Sequence, residues 1–453
     1  MSRTALDGRD RLTCPGSLPE HGTVEVYGAE PPGGPPVLSG SPTGRGHPPI
    51  MNVRRSAAAL AATVVLGAAA PAMATDSPSA SPSPALPKGL YGTTDPTYDG
   101  VWRQSLALLA QDTVKVRPAA SAVDWLTGQQ CANGAFAAYR ADTAKACDAK
   151  VMVDTNSTAA AVQALTALGG HDSVTGKAVT WLKSVQNKDG GWGYTPGGAS
   201  DTNSTSVVVG ALAAAGEKPA DVTKGGKSPY DALLSLALPC EGDDAGAFAY
   251  QPDKKGRLAA NADATAAGVL GALGKGLATG PGAKAGADCA KAASPEQAAA
   301  NGAAYLTRVL DKDGHLISAL PGADDQPDYG NTADAVVALA AQGGAGAAAK
   351  PLGWLKDNAA EWAAQNGPAA YAQLIFAAHA TGTDPRAFGG TDLVAKLDAT
   401  GPAPQKAAER TADAQEEKDD DSPFGVWWYV GVFLVVGIGI GFLLSHRGKG
   451  GRA

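Results

Sequence analysis

Aromatic side chains are scarce in this chain of 453 residues: 8 Trp, 11 Tyr and 7 Phe, or 6%. A cavity walled by aromatic faces, which would steady a carbocation by cation–π attraction, is therefore not expected. Histidine is also rare. His171, His315 and His379 lie far apart in the central part of the chain, so they supply no convergent set of zinc ligands. Positive charge is not in excess either. The 37 Lys and Arg against 44 Asp and Glu leave a net charge of −7, which argues against a nucleic-acid partner. Cysteine stops at five.

What is present begins with export signals. Residues 51–74 read as a secretory signal: Arg54 and Arg55 form a positive start, 57–70 is a short apolar run, and Ala72-Met73-Ala74 is a small-x-small cleavage site. Residues 1–50 are rich in Gly and Pro and read as a doubtful upstream extension, and 75–87 as a Ser/Pro linker. At the other end, 424–444 carries no charge and is long enough to cross a bilayer as a helix. Trp427, Trp428 and Tyr429 stand at its outer edge. Arg447, Lys449 and Arg452 in 445–453 would hold the tail in the cytoplasm. The acidic stretch 402–423 reads as a solvated stalk. These marks place the body, 88–401, outside the cytoplasmic membrane on a single span. Cys14 lies in the extension. Cys131, Cys147, Cys240 and Cys289 can form two disulfides in three pairings. We favour Cys131–Cys147 and Cys240–Cys289, because each pair brackets an irregular loop.

The body is built from a recurring segment. Asp-Thr-Asn-Ser-Thr-x-x-x-Val-x-Ala-Leu occurs at 154–165 and again at 201–212, with weaker copies at 262–273 and 328–339. A repeat of this period implies stacked supersecondary units. Thr158, Val162, Leu165 and Leu168 fall on one helix face, with Asp154 or Thr155 able to cap its start. A second helical pattern precedes this segment, with an aromatic followed by Leu in Trp125-Leu126, Trp181-Leu182 and Tyr305-Leu306. The loop between them reads Asn133-Gly134-Ala135-Phe136, Asp189-Gly190-Gly191-Trp192, Ala245-Gly246-Ala247-Phe248 and Asp313-Gly314-His315-Leu316. Its Gly permits a tight turn and its bulky residue can plug the gap between helices. Inner helices are expected near Asp95, Asp154, Asp201, Ala262, Asp328 and Gly367, and outer helices near Pro118, Gly176, Pro229, Pro295, Ala347 and Gly390. Twelve alternating helices predict an all-α chain folded as an α6/α6 toroid.

The segment Asp189-Gly190-Gly191-Trp192-Gly193, preceded by Gln186, resembles the repeat shared by squalene and oxidosqualene cyclases and prenyltransferase β-subunits. The cobalamin carriers of the transcobalamin and intrinsic-factor type use the same toroid. The resemblance implies the fold more than the chemistry. The acid motif Asp-x-Asp-Asp of the cyclases does not occur, and Asp243-Asp244 and Asp324-Asp325 are only doublets. The thioester sequence Gly-Cys-Gly-Glu-Gln of complement-like toroids does not occur either.

A binding role remains. Parallel inner helices would bring their amide-rich N-termini to one rim. The candidate ligand-binding residues there are Asp154, Thr155, Asn156, Asp201, Thr202, Asn203, Asn261, Asp263, Asp328 and Asn331; catalytic and metal-binding residues are not expected. The expected function is non-enzymatic capture of a small molecule at the cell surface. The carrier resemblance implies a corrinoid as ligand, taken with a separate secreted β-domain partner and passed to an uptake transporter. The alternatives are a terpenoid cyclase or prenyltransferase-like enzyme, and a surface scaffold for protein or wall glycan.

Overall fold

The computed structural model describes residues 87–148, 150–283, 289–318 and 325–406. The expected extension, signal, stalk (beyond residue 406), membrane span and tail lie outside the described residues. Among the described residues no helix is long and apolar enough to cross a membrane.

Twelve α-helices alternate along the described chain. The inner set is α1 (Gly100–Thr113), α3 (Thr155–Leu168), α5 (Thr202–Ala214), α7 (Ala262–Ala272), α9 (Tyr329–Gly343) and α11 (Pro368–Ala380). The outer set is α2 (Ala120–Gly128), α4 (Asp172–Ser184), α6 (Pro229–Leu236), α8 (Pro295–Asp311), α10 (Ala349–Asn366) and α12 (Leu393–Asp398). Each inner helix packs on the next, and α11 returns to pack on α1. The helices therefore close an α/α toroid, about half of whose residues are helical. Alanine makes the close packing possible. Most inner-helix positions are buried, and the small side chains let neighbouring helices approach without leaving voids.

Strand is confined to two short antiparallel pairs among the described residues, β1 (Phe136–Ala137) with β2 (Val153–Asp154) and β3 (Leu316–Ser318) with β4 (Gln326–Asp328). Their register pairs the loop's plugging residue with the inner helix cap: Phe136 opposite Asp154, and Leu316 opposite Asp328. The other two loops make the same link through single bonds, Asp201 N to Trp192 O at 3.0 Å and Asn261 N to Phe248 O at 3.0 Å.

The repeated Thr completes this junction. Thr158, Thr205, Thr265 and Thr332 accept from the backbone N–H of Phe136, Trp192, Phe248 and Leu316, at 2.9–3.1 Å. At least three of these hydroxyls also donate to the carbonyl of the cap four residues back. Each buried plug thus has its amide satisfied by a side chain on the inner helix, which an unpaired N–H inside the core would require. Trp192 is wholly buried, with its indole N–H on Leu182 O at 2.7 Å.

The repeat motif itself is structural. Gln186 Nε2 ties Gly190 O (2.8 Å) to Val222 O (3.0 Å), and Asp189 Oδ1 accepts from Gly191 N (3.0 Å) and Ser200 Oγ (2.8 Å). Gly190 has φ +90°, and a Cβ there would lie 2.1 Å from Ser228 O, at the start of α6. Only a residue without a side chain lets this loop lie flat on the next outer helix. Gly193 is equally hemmed in, its missing Cβ 2.4 Å from Ala199 O.

The sixth repeat is split between the two ends of the body. Gly89, with φ +96° and a phantom Cβ 2.2 Å from Ser121 O, does at α2 what Gly190 does at α6. Tyr91 is the corresponding plug, wholly buried. Its N–H donates to Gln104 Oε1 (2.8 Å) and its hydroxyl to Gln111 Oε1 (3.0 Å). Gly92 N then bonds Thr400 O (2.8 Å), Gln111 Nε2 bonds Asp398 Oδ1 (2.6 Å), and Gln405 N bonds Arg117 O (2.9 Å). The loop comes from one end of the body and its outer helix, α12, from the other.

Both favoured disulfides form, Cys131–Cys147 and Cys240–Cys289, each with Cα atoms 5.6 Å apart. Three sequence readings need correction. Asp95 does not start α1; it caps a turn through Thr97 (2.9 Å), and the helix begins at Gly100 after Pro96 has fixed the bend. The third copy of the motif is capped by Asn261, one residue before the aligned start, which moves its phase by one. The second outer helix begins at Asp172, four residues before Gly176.

Candidate functional site

The first turns of the inner helices meet at one end of the ring. Asn203 on α5 donates to Asp263 Oδ2 on α7 at 2.8 Å. Gln373 on α11 donates to Asp334 Oδ2 on α9 at 3.1 Å. Asp328 caps α9 through Asn331 N (3.1 Å) and accepts from Asn331 Nδ2 (2.8 Å). These hydrogen bonds join the inner helices in two pairs, α5 with α7 and α9 with α11, through side chains in their first two turns.

The carboxyls at this mouth feel one another. Asp334 is pushed up to about 7, first by desolvation and then by the charges of Asp263 and Asp328. Asp263 is also raised, by desolvation first and by Asp328. Both residues keep partial solvent access while protein crowds them. Burial and like charge both disfavour the ionised form. Here they outweigh the hydrogen bonds from Asn203 and Gln373. Asn203 Oδ1 is buried and has no hydrogen-bond partner among the described residues.

The expected rim residues divide into two groups. Asp154, Thr155, Asp201 and Thr202 lie in the junctions between repeats, each 2% exposed or less. Asp154 Oδ1 caps Ser157 N and Asp201 Oδ1 caps Ser204 N, both at 2.6 Å. The hydroxyls of Thr155 and Thr202 donate across to Gly193 O and Ala249 O, both at 2.6 Å. Desolvation pushes Asp154 and Asp201 up to about 6 against those caps, with Tyr194 and Tyr250 beside them. Asn156, Asn203, Asp263, Asp328 and Asn331 keep partial exposure, and Asn261 is exposed. These six can meet a ligand.

Sequence reading missed two groups of residues. Asp334 and Gln373 each sit six residues after a helix start that had been recognised, Asp328 and Gly367, but the early-turn focus passed over them. The second group is aromatic. His315 stacks on Trp354 (centroids 4.3 Å, 18°), Trp354 meets Tyr329 (4.9 Å, 35°), and Tyr329 stacks on Trp362 (5.5 Å, 14°). All four are half-buried. The signal was present: Tyr329 stands where the first two copies have Thr155 and Thr202, and Gly330 where they have Asn156 and Asn203.

Among the described residues no three His, Cys, Asp or Glu side chains are placed to hold a metal ion. His379 lies at the end of α11, away from the mouth, its pKa lowered by burial and by Lys115. A separate cleft of about 490 Å³ lies on the outer surface between the Asn187–Ser200 loop and α6, lined in part by Lys188, Asp189, Ser235 and Pro252. Its Asn187 and Asp189 side chains are already spent on the loop's own bonds.

The ring of alternating inner and outer helices, with a Gly-plug loop at most of its junctions, resembles a known family over part of the chain. Residues 96–254 match the prenyltransferase alpha-alpha toroid domain. The matched stretch holds α1 to α6 and the motif around Trp192. No curated protein matches the chain. A similar solved structure is a sugar epimerase from a ruminal bacterium, 14% identical, covering 60% of this chain and 80% of that one, with a TM-score of 0.37. Nothing about the toroid's chemistry follows from so slight a likeness.

Proposed function

We propose that the protein is an extracytoplasmic binding protein that captures a small polar ligand at the mouth of its toroid. The observation that carries this reading is the grouping of Asn203, Asp263, Asp328, Asn331, Asp334 and Gln373, all partly exposed, on the early turns of four inner helices, linked by hydrogen bonds and by the mutual effect of their charges. Mouths of helix assemblies with a few convergent polar groups are where ligands bind. The two disulfides support an oxidising compartment. With the signal-like and span-like segments of the sequence, they suit a body held outside the membrane by a C-terminal anchor.

The resemblance to cobalamin carriers makes a corrinoid the first ligand to test, with a separate β-domain partner and an uptake transporter as the associated proposals. The test is calorimetric and thermal-shift titration of the oxidised protein with cyanocobalamin and cobinamide. A ligand at one hundred times its Kd would stabilise the fold by about 2.7 kcal/mol. Binding lost in Asn203→Ala and Asp263→Ala would support the mouth. Absence of binding, alone or with a β-domain partner, would discard the corrinoid.

A second reading rests on one observation. A carboxyl raised to about 7 beside a second raised carboxyl suits proton transfer near neutral pH. Turnover of an isoprenoid substrate that is lost in Asp334→Asn would favour an enzyme over a carrier.

A further inference from the structure

The fifth repeat departs from the pattern at the mouth. In the three preceding repeats the third motif position is Asn156, Asn203 or Asp263, all polar side chains at the first turn. In α9 it is Gly330. This glycine is not needed for backbone conformation, because its φ is not positive. It is not needed for close approach either. The nearest atoms to an added Cβ are the Gln373 amide at 3.6 Å and Trp362 at 3.7 Å, ordinary contact distances. The missing side chain therefore leaves a notch about one methyl group across, bordered by the edge of an indole and a planar amide.

The walls of that notch are held in place. Tyr329 covers one face of Trp362, Trp354 backs Tyr329, and His315 backs Trp354. Among the described residues no other ring stacks on Trp362. Three rings in series thus brace one indole at the mouth, opposite Gln373. Gln373 is itself held by its bond to Asp334. A rigid platform loses little freedom when a ligand docks, which favours affinity.

We infer that this notch marks a saccharide subsite, in which one pyranose ring lies against Trp362 above Gly330 and turns its hydroxyls to Gln373 and Asp334. The inference rests on the mouth being a ligand site and names the class of ligand. A pyranose has an apolar face of weakly positive C–H bonds and a polar edge. The indole face is electron-rich, and an amide with a carboxyl offers both donors and acceptors to vicinal hydroxyls. The arrangement does not suit a quaternary ammonium, which needs several ring faces converging on one point. Here the rings are stacked in series, with Trp362 bordering the notch beside Gly330.

The test is calorimetry on the intact oxidised protein with chitotetraose, maltotetraose, choline and cyanocobalamin as separate titrants, with tryptophan fluorescence recorded alongside. Saccharide binding with a fluorescence change is expected. Gly330→Asn, which supplies the residue found at this position in α3 and α5 and fills the notch, should weaken it at least about tenfold. Trp362→Leu should do the same, and both variants should keep a circular dichroism spectrum close to that of the parent. Saccharide binding that survives both variants unchanged would overturn the subsite. Binding of choline or cyanocobalamin without any saccharide would overturn the ligand class and leave the mouth standing as a binding site. Failure of every titrant would overturn both.

Discussion

Asp201→Asn should make the protein less sensitive to rising pH. Asp201 is 1% exposed, and desolvation raises its carboxyl from an ordinary value of 3.8 to about 6. The folded state therefore binds this proton more tightly than the unfolded chain does. Below about pH 4 both states hold it and stability is unaffected. Between about 4 and 6 the unfolded state releases it first, so stability falls as pH rises. Above about 6 the whole penalty is present. At about 1.4 kcal/mol per pH unit, it amounts to roughly 3 kcal/mol. Asparagine caps a helix as well as aspartate does, and Asn261 already fills that role at α7. The substitution removes the ionisation and leaves the cap. Its amide nitrogen sits beside Tyr250, so any cost of placing it there is the same at every pH. The assay is urea unfolding of parent and variant at pH 4 and pH 8, followed by circular dichroism. The stability difference should move by about 3 kcal/mol in favour of the variant between the two. A difference that stays the same at both, within about 0.5 kcal/mol, would refute the claim that a buried carboxyl is ionised against its surroundings.

Five of the inner helices end on a glycine of positive φ, from Gly169 to Gly382, but α1 ends on Lys115 at φ +61°. Lys115→Gly should raise stability by about 0.5–1 kcal/mol in denaturant unfolding, because a Cβ is penalised in that conformation. Thr205→Val keeps the volume but strands the Trp192 amide, which should cost about 1–3 kcal/mol by the same assay. Replacing Cys131 and Cys147 by Ser opens a loop spanning 16 residues and should lower stability by about 3 kcal/mol, read as a lower melting temperature without loss of helix signal.

The ring was legible in the sequence because each unit repeats a physical solution. Asp154 and Asp201 announce a cap, Thr158 and Thr205 sit one turn later, and Phe136 and Trp192 supply the plug; a residue pattern copied at intervals implies a structure copied with it. The Cys131–Cys147 disulfide was legible because the pair flanks one irregular loop; Cys240–Cys289 forms as favoured, but its span encloses the whole of α7. The mouth was less legible. Capping and ligand contact call for the same residue types at the same positions. Only burial separates Asp154, which a neighbouring repeat covers, from Asp263, which faces its like-charged neighbours. Asp334, Gln373 and Trp362 were missed because each gains its place from a helix distant in sequence. The split repeat was missed because Lys88-Gly89-Leu90-Tyr91 matches the loop motif only once its partner helix, nearly the full length of the body away, is known.

That split repeat acts as a clasp. Tyr91 and Pro402 touch across 311 residues, so the ring cannot lock until the last segment of the body has been made. Before then the stacked repeats form an open arc, whose two end faces are the unshielded flanks of α1 and α11. Each repeat already in place brings those faces closer, which spares most of the closure entropy that a flexible chain of this length would lose. The seam between α1 and α11 is where the finished ring holds together through the two ends of the chain instead of an unbroken backbone. Excursions that open the toroid would begin there, next to α11, the helix that carries Gln373.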